Sequence, residues 1–250
     1  MYRSPLLIEP ASVIPLSEES FDWLGRRNVT TPQVRGTTES VQCFFAPIHY
    51  ESNYAYPLIV WLHGPQSNEQ QLQQVMPLIN MRNHVAVAPR GTKPNAVDRL
   101  SYGWSHTPEA IAEAGQRVRD CVESAQHRFH IHPERIFVAG YAEGGTMAHR
   151  IGMEFPELFA GAISLGGPVP RGSRPLRHIN RVRQLPLLLA VSPDQNYSIN
   201  KVMEDLRFLH SAGCSLNLRL YPEGDQLTTT MLSDMDCWVM EQSCPTAVAS

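Results

Sequence analysis

Residues 135–144, with the sequence Arg-Ile-Phe-Val-Ala-Gly-Tyr-Ala-Glu-Gly, decide the fold of this chain. An apolar, largely β-branched run predicts a buried strand, and it leads directly into a turn that has glycine at both ends. A helical pattern of apolar residues follows from Gly145. The central residue of the turn, Ala142, carries only a methyl group. The stretch therefore predicts a strand, a tight turn and a helix in direct succession.

The spacing of this turn matches the Gly-x-Ser-x-Gly elbow, which holds a nucleophilic serine between a strand and a helix. The first glycine leaves room for a strained central residue, and the second lets the helix pack closely against the turn. Ala142 stands where the serine would be, and a methyl group cannot attack a carbonyl carbon. The turn predicts the fold, whereas its central residue argues against the usual chemistry.

Buried strands alternate with helices along the chain from residue 41 onward. The predicted strands are residues 41–48, 57–62, 84–89, 135–139, 159–165, 185–191 and 215–221. The predicted helices are residues 68–76, 108–129, 145–155, 199–212 and 228–242, the first with Asn68 as its cap. Pro47 makes the first strand an edge strand, because proline cannot donate to a central ladder. The pattern predicts an α/β fold, a doubly wound, mostly parallel sheet with helices on both faces.

Composition divides the chain into a main domain and two short ends. Residues 1–38 are rich in proline, serine, threonine and charge, which predicts an irregular N-terminal extension. Residues 39–244 form the predicted α/β domain, and residues 245–250 form a C-terminal tail.

The bulk composition is that of an ordinary globular protein and excludes several functional classes. A formal net charge of -3 provides no general attraction to nucleic acid or to an acidic membrane. The five cysteines lack Cys-x-x-Cys spacing, which argues against a disulfide framework and a zinc site. The N-terminus lacks a signal-peptide core, and no apolar run reaches membrane-spanning length. We therefore expect a cytoplasmic protein with no membrane span and no nucleic-acid partner.

Five segments, in the same order along the chain, resemble the phospholipase/carboxylesterase family of α/β-hydrolases, which includes acyl-protein thioesterases. They are residues 61–64 (Trp-Leu-His-Gly), 88–91 (Ala-Pro-Arg-Gly), 133–148, 192–194 (Ser-Pro-Asp) and 221–225 (Tyr-Pro-Glu-Gly-Asp). The resemblance covers most of residues 41–242. It implies the α/β-hydrolase fold and carboxylic-ester hydrolysis without a cofactor.

Carried over residue by residue, the resemblance places the nucleophile at Ala142 and the triad acid at Asp194. It places the histidine at Asp225, or at Gln226 if the register slips by one residue. Losing one triad member already leaves only about 10³–10⁴-fold acceleration over water. Two members are absent, so classical acyl-enzyme turnover is not expected. A serine-to-alanine change made to trap a complex would not alter the base position as well, which favours natural divergence.

The framework of a binding pocket is still recognisable in the sequence. The loop His63-Gly64-Pro65-Gln66, together with the backbone N–H of Glu143, could present donors to an oxygen anion. Trp104, Tyr102 and residues 168–180 are predicted to line or cover the cleft. These residues predict a pocket for an ester, an acyl chain or a carboxylate.

Relocated catalysis is an alternative that the sequence leaves open. His63 and His106 are candidate bases, and Ser105, Ser164 and Ser192 are candidate hydroxyls. His63 is more simply explained as shaping its own loop. The adjacent Ser105 and His106 side chains should diverge, and the other two serines lack an elbow.

Charged clusters offer further alternatives. Asp194 and Asp225 should converge and could share a proton or hold a cation, although a solvated loop explains them more simply. The histidines at 127, 130 and 132 lack metal-ligand spacing, so we expect no metal site. The arginines between residues 171 and 183 are explained by a solvated loop more simply than by an anion site.

We interpret the chain as a non-catalytic homologue, a pseudoenzyme that binds a small ester or acyl ligand or a protein partner. The alternatives are a carboxylic-ester or thioester hydrolase with relocated residues, and an interaction scaffold whose pocket is incidental.

Overall fold

A computed structural model describes residues 41–96, 98, 100–172, 175–194, 197–222 and 226–243. Its strands are β1 (Gln42–Phe45), β2 (Tyr56–Leu62), β3 (Val85–Pro89), β4 (Lys93–Pro94), β5 (Tyr102–Gly103), β6 (Ile131–Tyr141), β7 (Gly161–Leu165), β8 (Leu187–Val191) and β9 (Leu216–Leu220). Its helices are α1 (Gln71–Ile79), α2 (Pro108–Arg128), α3 (Glu143–Glu154), α4 (Ile179–Val182), α5 (Ile199–Ser211) and α6 (Thr229–Ser243). The predicted N-terminal extension and C-terminal tail lie outside these described residues.

Seven strands form one sheet in the order β1-β3-β2-β6-β7-β8-β9, and β4 and β5 pair separately. β1 is antiparallel to β3, whereas every other neighbouring pair in the seven-stranded sheet is parallel. The mostly parallel sheet is confirmed, and so is the edge position of the first strand. Parallel pairing places the turns that follow β2, β6, β7 and β8 at one edge of the sheet.

Helices cover both faces of the sheet, as the sequence predicted. Alternate residues of β2 show this division, because Leu58 and Val60 pack in a core with α2, α3 and α5. Ile59 and Trp61 pack on the opposite face with α1 and α6. All seven residues of β2 are buried. Burial on both faces explains why this strand reads as a continuous apolar run.

Element boundaries differ from the sequence prediction where side-chain or tertiary contacts decide them. α1 begins at Gln71, and Asn68 is not its cap. The Asn68 Oδ1 instead accepts the N–H of Gln70 at 2.8 Å, which forms a turn before the helix. β6 begins earlier than predicted, because Ile131 pairs with Tyr56 of β2. Within the described part of the chain, none of the helices combines the length and hydropathy needed to cross a membrane.

Candidate functional site

The turn between β6 and α3 has the strained backbone of a nucleophile elbow. Ala142 adopts φ 49° and ψ -116°, a conformation that residues with a side chain rarely take. Such strain costs about 1–3 kcal/mol and persists only where the surroundings enforce it. The N–H of Ala142 donates to the Leu165 carbonyl at 2.8 Å, and its carbonyl accepts from the Thr146 N–H at 3.0 Å. The neighbouring strand and helix therefore hold the elbow in place.

Both elbow glycines are required by close backbone packing. A Cβ at Gly140 would lie 2.4 Å from the carbonyl oxygen of Gly144. A Cβ at Gly144 would lie 2.2 Å from the carbonyl oxygen of Leu62, at the end of β2. Real Cβ atoms do not approach backbone oxygens so closely. The elbow thus needs these glycines whether or not a nucleophile stands between them.

A cavity of about 1160 Å³ opens at the elbow. Its described lining comes from the turns after β2, β6, β7 and β8 and from α3, α5 and α6. Three of the residues to which the resemblance assigned catalytic positions line it, namely Ala142, Asp194 and Gln226. Asp225 lies outside the described residues. The described residues at the predicted triad positions therefore lie at one cavity.

His63 lies behind the cavity wall and links two strand ends. Its ring is fully buried, with Nδ1 at 2.9 Å from the Gly64 carbonyl oxygen and Nε2 accepting the Gly91 N–H at 3.0 Å. Because a carbonyl can only accept, this pairing describes a neutral ring protonated at Nδ1. Burial lowers the pKa of His63, although the hydrogen bond to Gly64 acts in the opposite direction. With both nitrogens engaged, His63 has a structural role and is not available as a base.

Trp104 also lies behind the cavity, which differs from the prediction that it lines the cleft. Its side chain is 3% exposed, and its indole N–H donates to the His63 carbonyl at 2.9 Å. The ring centroids of Trp104 and His63 are 5.2 Å apart. This tryptophan therefore supports the turn after β2.

The turn after β2 provides fewer oxyanion donors than the sequence suggested. The Gly64 N–H is already donated to the Gln71 Oε1 at 3.0 Å. Pro65 lines the cavity, but proline carries no N–H. Gln66, at φ 53°, is exposed and is not among the residues that line the cavity. The residue of this turn that faces the cavity therefore lacks a backbone donor.

The backbone N–H of Glu143 is the other predicted oxyanion donor, and the structure retains it. Glu143 is the first residue of α3, so its N–H has no acceptor within the helix. Its side chain packs toward β5, where Oε2 would lie 3.2 Å from a Cβ placed on Gly103. The elbow therefore still offers one backbone N–H beside Ala142.

Asp194 follows β8 and lines the cavity, as an acid of this fold should. Its carboxylate accepts the backbone N–H of Tyr197, and its own N–H donates to the Tyr197 carbonyl at 3.3 Å. The carboxylate therefore also shapes its own loop.

The candidates for relocated catalysis do not form a nucleophile–base pair within the described residues. His106 lines the cavity, but no described serine or threonine hydroxyl is bonded to it. Burial and the nearby Arg150 lower the pKa of His106, whereas Glu143 acts in the opposite direction. Ser164 is fully buried and donates to the Gly167 carbonyl at 2.7 Å. Ser192 lines the cavity at the end of β8 and has no elbow.

Sequence reasoning missed Asp205, a buried carboxylate that holds the cavity wall together. Its Oδ2 accepts the Val169 N–H at 2.8 Å and the Tyr197 hydroxyl at 2.9 Å. Its Oδ1 pairs with the Arg171 guanidinium. A signal existed in the sequence, since Asp205 lies at helical spacing between the apolar Val202 and Leu209. A carboxylate on the apolar stripe of a helix indicates a buried polar network.

Arg150 is a second buried charge that the sequence analysis did not single out. It lies on α3, lines the cavity and is 4% exposed. Its two η nitrogens donate to the carbonyls of Gly172 at 3.1 Å and Arg171 at 2.7 Å. Its buried Nε–H has no acceptor among the residues that the structure describes. Burial lowers the pKa of Arg150, although Glu154 acts in the opposite direction.

The relatives that resemble this chain in sequence include an esterase and a carboxylesterase. No family model matches this chain. The inferred esterase NocK of Nocardia uniformis subsp. tsuyamanensis is 27% identical over 123 residues, which are 46% of this chain and 33% of NocK. An inferred carboxylesterase of Oryza sativa subsp. japonica is 24% identical over 160 residues, which are 63% of this chain and 59% of that protein. The matches thus span less than two thirds of the length of these two relatives.

Solved structures share the whole architecture. The crystal structure of acyl-protein thioesterase 2 from Zea mays superimposes with a TM-score of 0.64 at 15% identity, covering 81% of this chain and 99% of that one. The predicted α/β-hydrolase fold is therefore confirmed.

Proposed function

We propose that this chain, an α/β-hydrolase-fold protein related to carboxylesterases and acyl-protein thioesterases, is a non-catalytic homologue that binds a small ester or acyl ligand. One observation carries the proposal. The elbow holds Ala142 in the strained conformation of a nucleophile, at the wall of an intact cavity. The site has the shape needed for an ester but lacks the atom that would attack it.

Two further departures support the absence of turnover. Gln226, which lines the cavity close to the expected base position, cannot act as a general base at neutral pH. Pro65 removes a possible backbone donor from the turn after β2, and a lost oxyanion donor costs about 10²–10³ in kcat. The nucleophile, the base and part of the oxyanion hole are thus altered together.

The cavity supports ligand binding rather than a purely structural role. Packing alone explains the elbow glycines, so the elbow by itself does not argue for a ligand. The cavity does, because its volume of about 1160 Å³ is more than enough for a small molecule, whose sites usually measure about 300–1,000 Å³. Tyr141, Val169 and Met231 give it apolar wall that suits an acyl chain.

A pair of measurements tests the proposal. Short-chain aryl esters are expected to show no hydrolysis above the rate in buffer, whereas the neutral ester methyl hexanoate is expected to raise the melting temperature. Gln226→Trp, which fills the cavity from an exposed lining position, should abolish that rise. The matched control is Gln116→Trp on the exposed face of α2, which should not affect it.

Two outcomes would contradict the proposal. Aryl-ester hydrolysis that disappears in His106→Ala would identify a hydrolase with relocated residues. A melting temperature unchanged by the ester in every variant would favour a scaffold with an incidental cavity.

A further inference from the structure

We propose that the cavity binds an anionic ligand, a carboxylate or phosphate group on an apolar body, with the anion held by Arg150. This inference rests on the proposed function, because it specifies the ligand of the same cavity. The inference is carried by the surroundings of Arg150 in the cavity wall.

Arg150 is a buried cation without a carboxylate partner. Among the described residues, no Asp or Glu oxygen lies within 4.0 Å of its guanidinium. Its hydrogen bonds go only to backbone carbonyls, and Nε–H has no acceptor. An uncompensated buried charge is strongly unfavourable, and so is an unsatisfied buried donor. A bound oxyanion would supply the missing counter-charge.

Two carboxylates in this part of the protein, Asp205 and Glu154, are engaged elsewhere. Asp205 is used by Arg171, by the Tyr197 hydroxyl and by a backbone N–H. Glu154, which acts electrostatically on Arg150, pairs with Arg177 at 3.8 Å. Arg171, which also lines the cavity, is thus paired with a carboxylate, whereas Arg150 has no ion-pair partner among the described residues.

Other groups of the lining agree with an anion at this place. His106 lies close enough for the positive charge of Arg150 to lower its pKa. Two of the lining carboxylates are directed elsewhere, since Asp194 accepts an N–H within its own loop and Glu143 packs toward β5. The part of the wall formed by α5 adds the cations Lys201 and Arg207 and the carboxylate Glu204. An anion beside Arg150 would also face His106, which could become protonated when the anion binds. The apolar wall near the elbow would accommodate the rest of the molecule.

The experiment compares four probes by calorimetric titration: hexanoate, hexyl phosphate, methyl hexanoate and inorganic phosphate. Hexanoate or hexyl phosphate is expected to bind at least about tenfold more tightly than methyl hexanoate, since charge-assisted hydrogen bonds are the strong ones. The probe that binds more tightly identifies the headgroup as carboxylate or phosphate. Inorganic phosphate carries no alkyl chain, so its affinity measures recognition of the anion alone.

Variants locate the anion. Arg150→Gln should lower the affinity for the tighter anion about tenfold and leave that for methyl hexanoate unchanged, and Arg150→Lys should recover part of the loss. Arg181→Gln, at an exposed arginine of α4 outside the cavity, removes the same charge and should have no effect. If Arg150→Gln does not fold, the wild-type protein still provides a test. Its His106 imidazole, followed by NMR, should show a raised pKa when the anion is bound.

The outcomes separate this inference from the proposed function. Anions that bind no more tightly than methyl hexanoate, or that leave the His106 resonance unchanged, would overturn the anion site while ester binding stands. Arg150-dependent anion binding without any ester binding would support the anion site and contradict the proposed ester ligand.

Discussion

The elbow after β6 and the turn after β2 lie at the ends of neighbouring strands. Each turn retains its structural residues but lacks a group that ester hydrolysis would need. The elbow has both glycines and the strained backbone at Ala142, but no hydroxyl. The turn after β2 has a buried histidine that joins two strand ends, but Pro65 faces the cavity without an N–H. In both turns the residues required for packing are present, whereas the elbow lacks a hydroxyl and the turn after β2 lacks a donor at the residue that faces the cavity.

This comparison separates residues that indicate the fold from residues that indicate the chemistry. Gly140, Gly144 and His63 each have a packing or hydrogen-bonding role that is independent of catalysis. Their presence is therefore evidence for the fold and is neutral about activity. Positions 65, 142 and 226 line the cavity, so they carry the information about chemistry.

The largest expected effect comes from restoring chemistry to both turns. Ala142→Ser with Gln226→His is expected to hydrolyse aryl esters only slowly, and adding Pro65→Ala should raise kcat by about 10²–10³ through a new oxyanion donor. Initial rates with p-nitrophenyl acetate measure this. Asp225→His in place of Gln226→His tests the register. Equal rates for the double and triple variants would show that Pro65 does not limit the oxyanion hole. The turn after β2 would then not lack a group needed for chemistry, in contrast to the elbow.

Close packing at the elbow predicts a large loss of stability for Gly144→Ala. Its Cβ would lie 2.2 Å from the Leu62 oxygen, so we expect the free energy of unfolding to fall by about 3 kcal/mol or more. Gly172→Ala is the contact-free control, because nothing lies within 4 Å of a Cβ placed there. Gly172 has a positive φ, so its replacement should still cost about 1 kcal/mol in backbone strain. A loss for Gly144→Ala no larger than that for Gly172→Ala in urea unfolding would contradict the role of the close contact.

The burial of His149 in α3 should make the stability of the fold depend on pH. Complete burial lowers the pKa of His149 to about 4, and its Nε2–H donates to the Leu188 carbonyl at 3.0 Å. Between about pH 6.5 and pH 4 the unfolded chain binds a proton here that the folded chain does not, so stability falls as the pH is lowered. The loss should approach about 3 kcal/mol at pH 4. His149→Gln keeps a donor without titrating, so its stability difference from wild type should vary with pH, and a constant difference would contradict the assignment.

The smallest expected effect concerns the strain at Ala142. Ala142→Gly should raise the free energy of unfolding by about 1 kcal/mol, because glycine adopts the observed backbone angles without a Cβ clash. Ala148→Gly, at a buried alanine within α3, should instead lower it by about 1 kcal/mol. A loss at both positions in chemical unfolding would mean that the elbow stores little strain.

Much of the fold could be predicted because its signals are local. The apolar run of β2, the alternation of strands and helices, and the glycine spacing around Ala142 each depend on a few neighbouring residues. The helix start at Asn68 was wrong, because an asparagine side chain can close a turn as readily as it caps a helix. The site was less predictable, since Trp104 and His63 read as cavity residues until their distant partners placed them behind the wall.

The sequence by itself determined the strand–turn–helix order and the absence of a hydroxyl at residue 142, since both are properties of a short segment. Only the tertiary structure decided that Pro65 faces the cavity, that Asp205 pairs with Arg171, and that Arg150 has no ion-pair partner among the described residues. The physical reason is distance along the chain. Burial and charge pairing depend on which remote segments meet, whereas periodicity and turn chemistry are properties of neighbours.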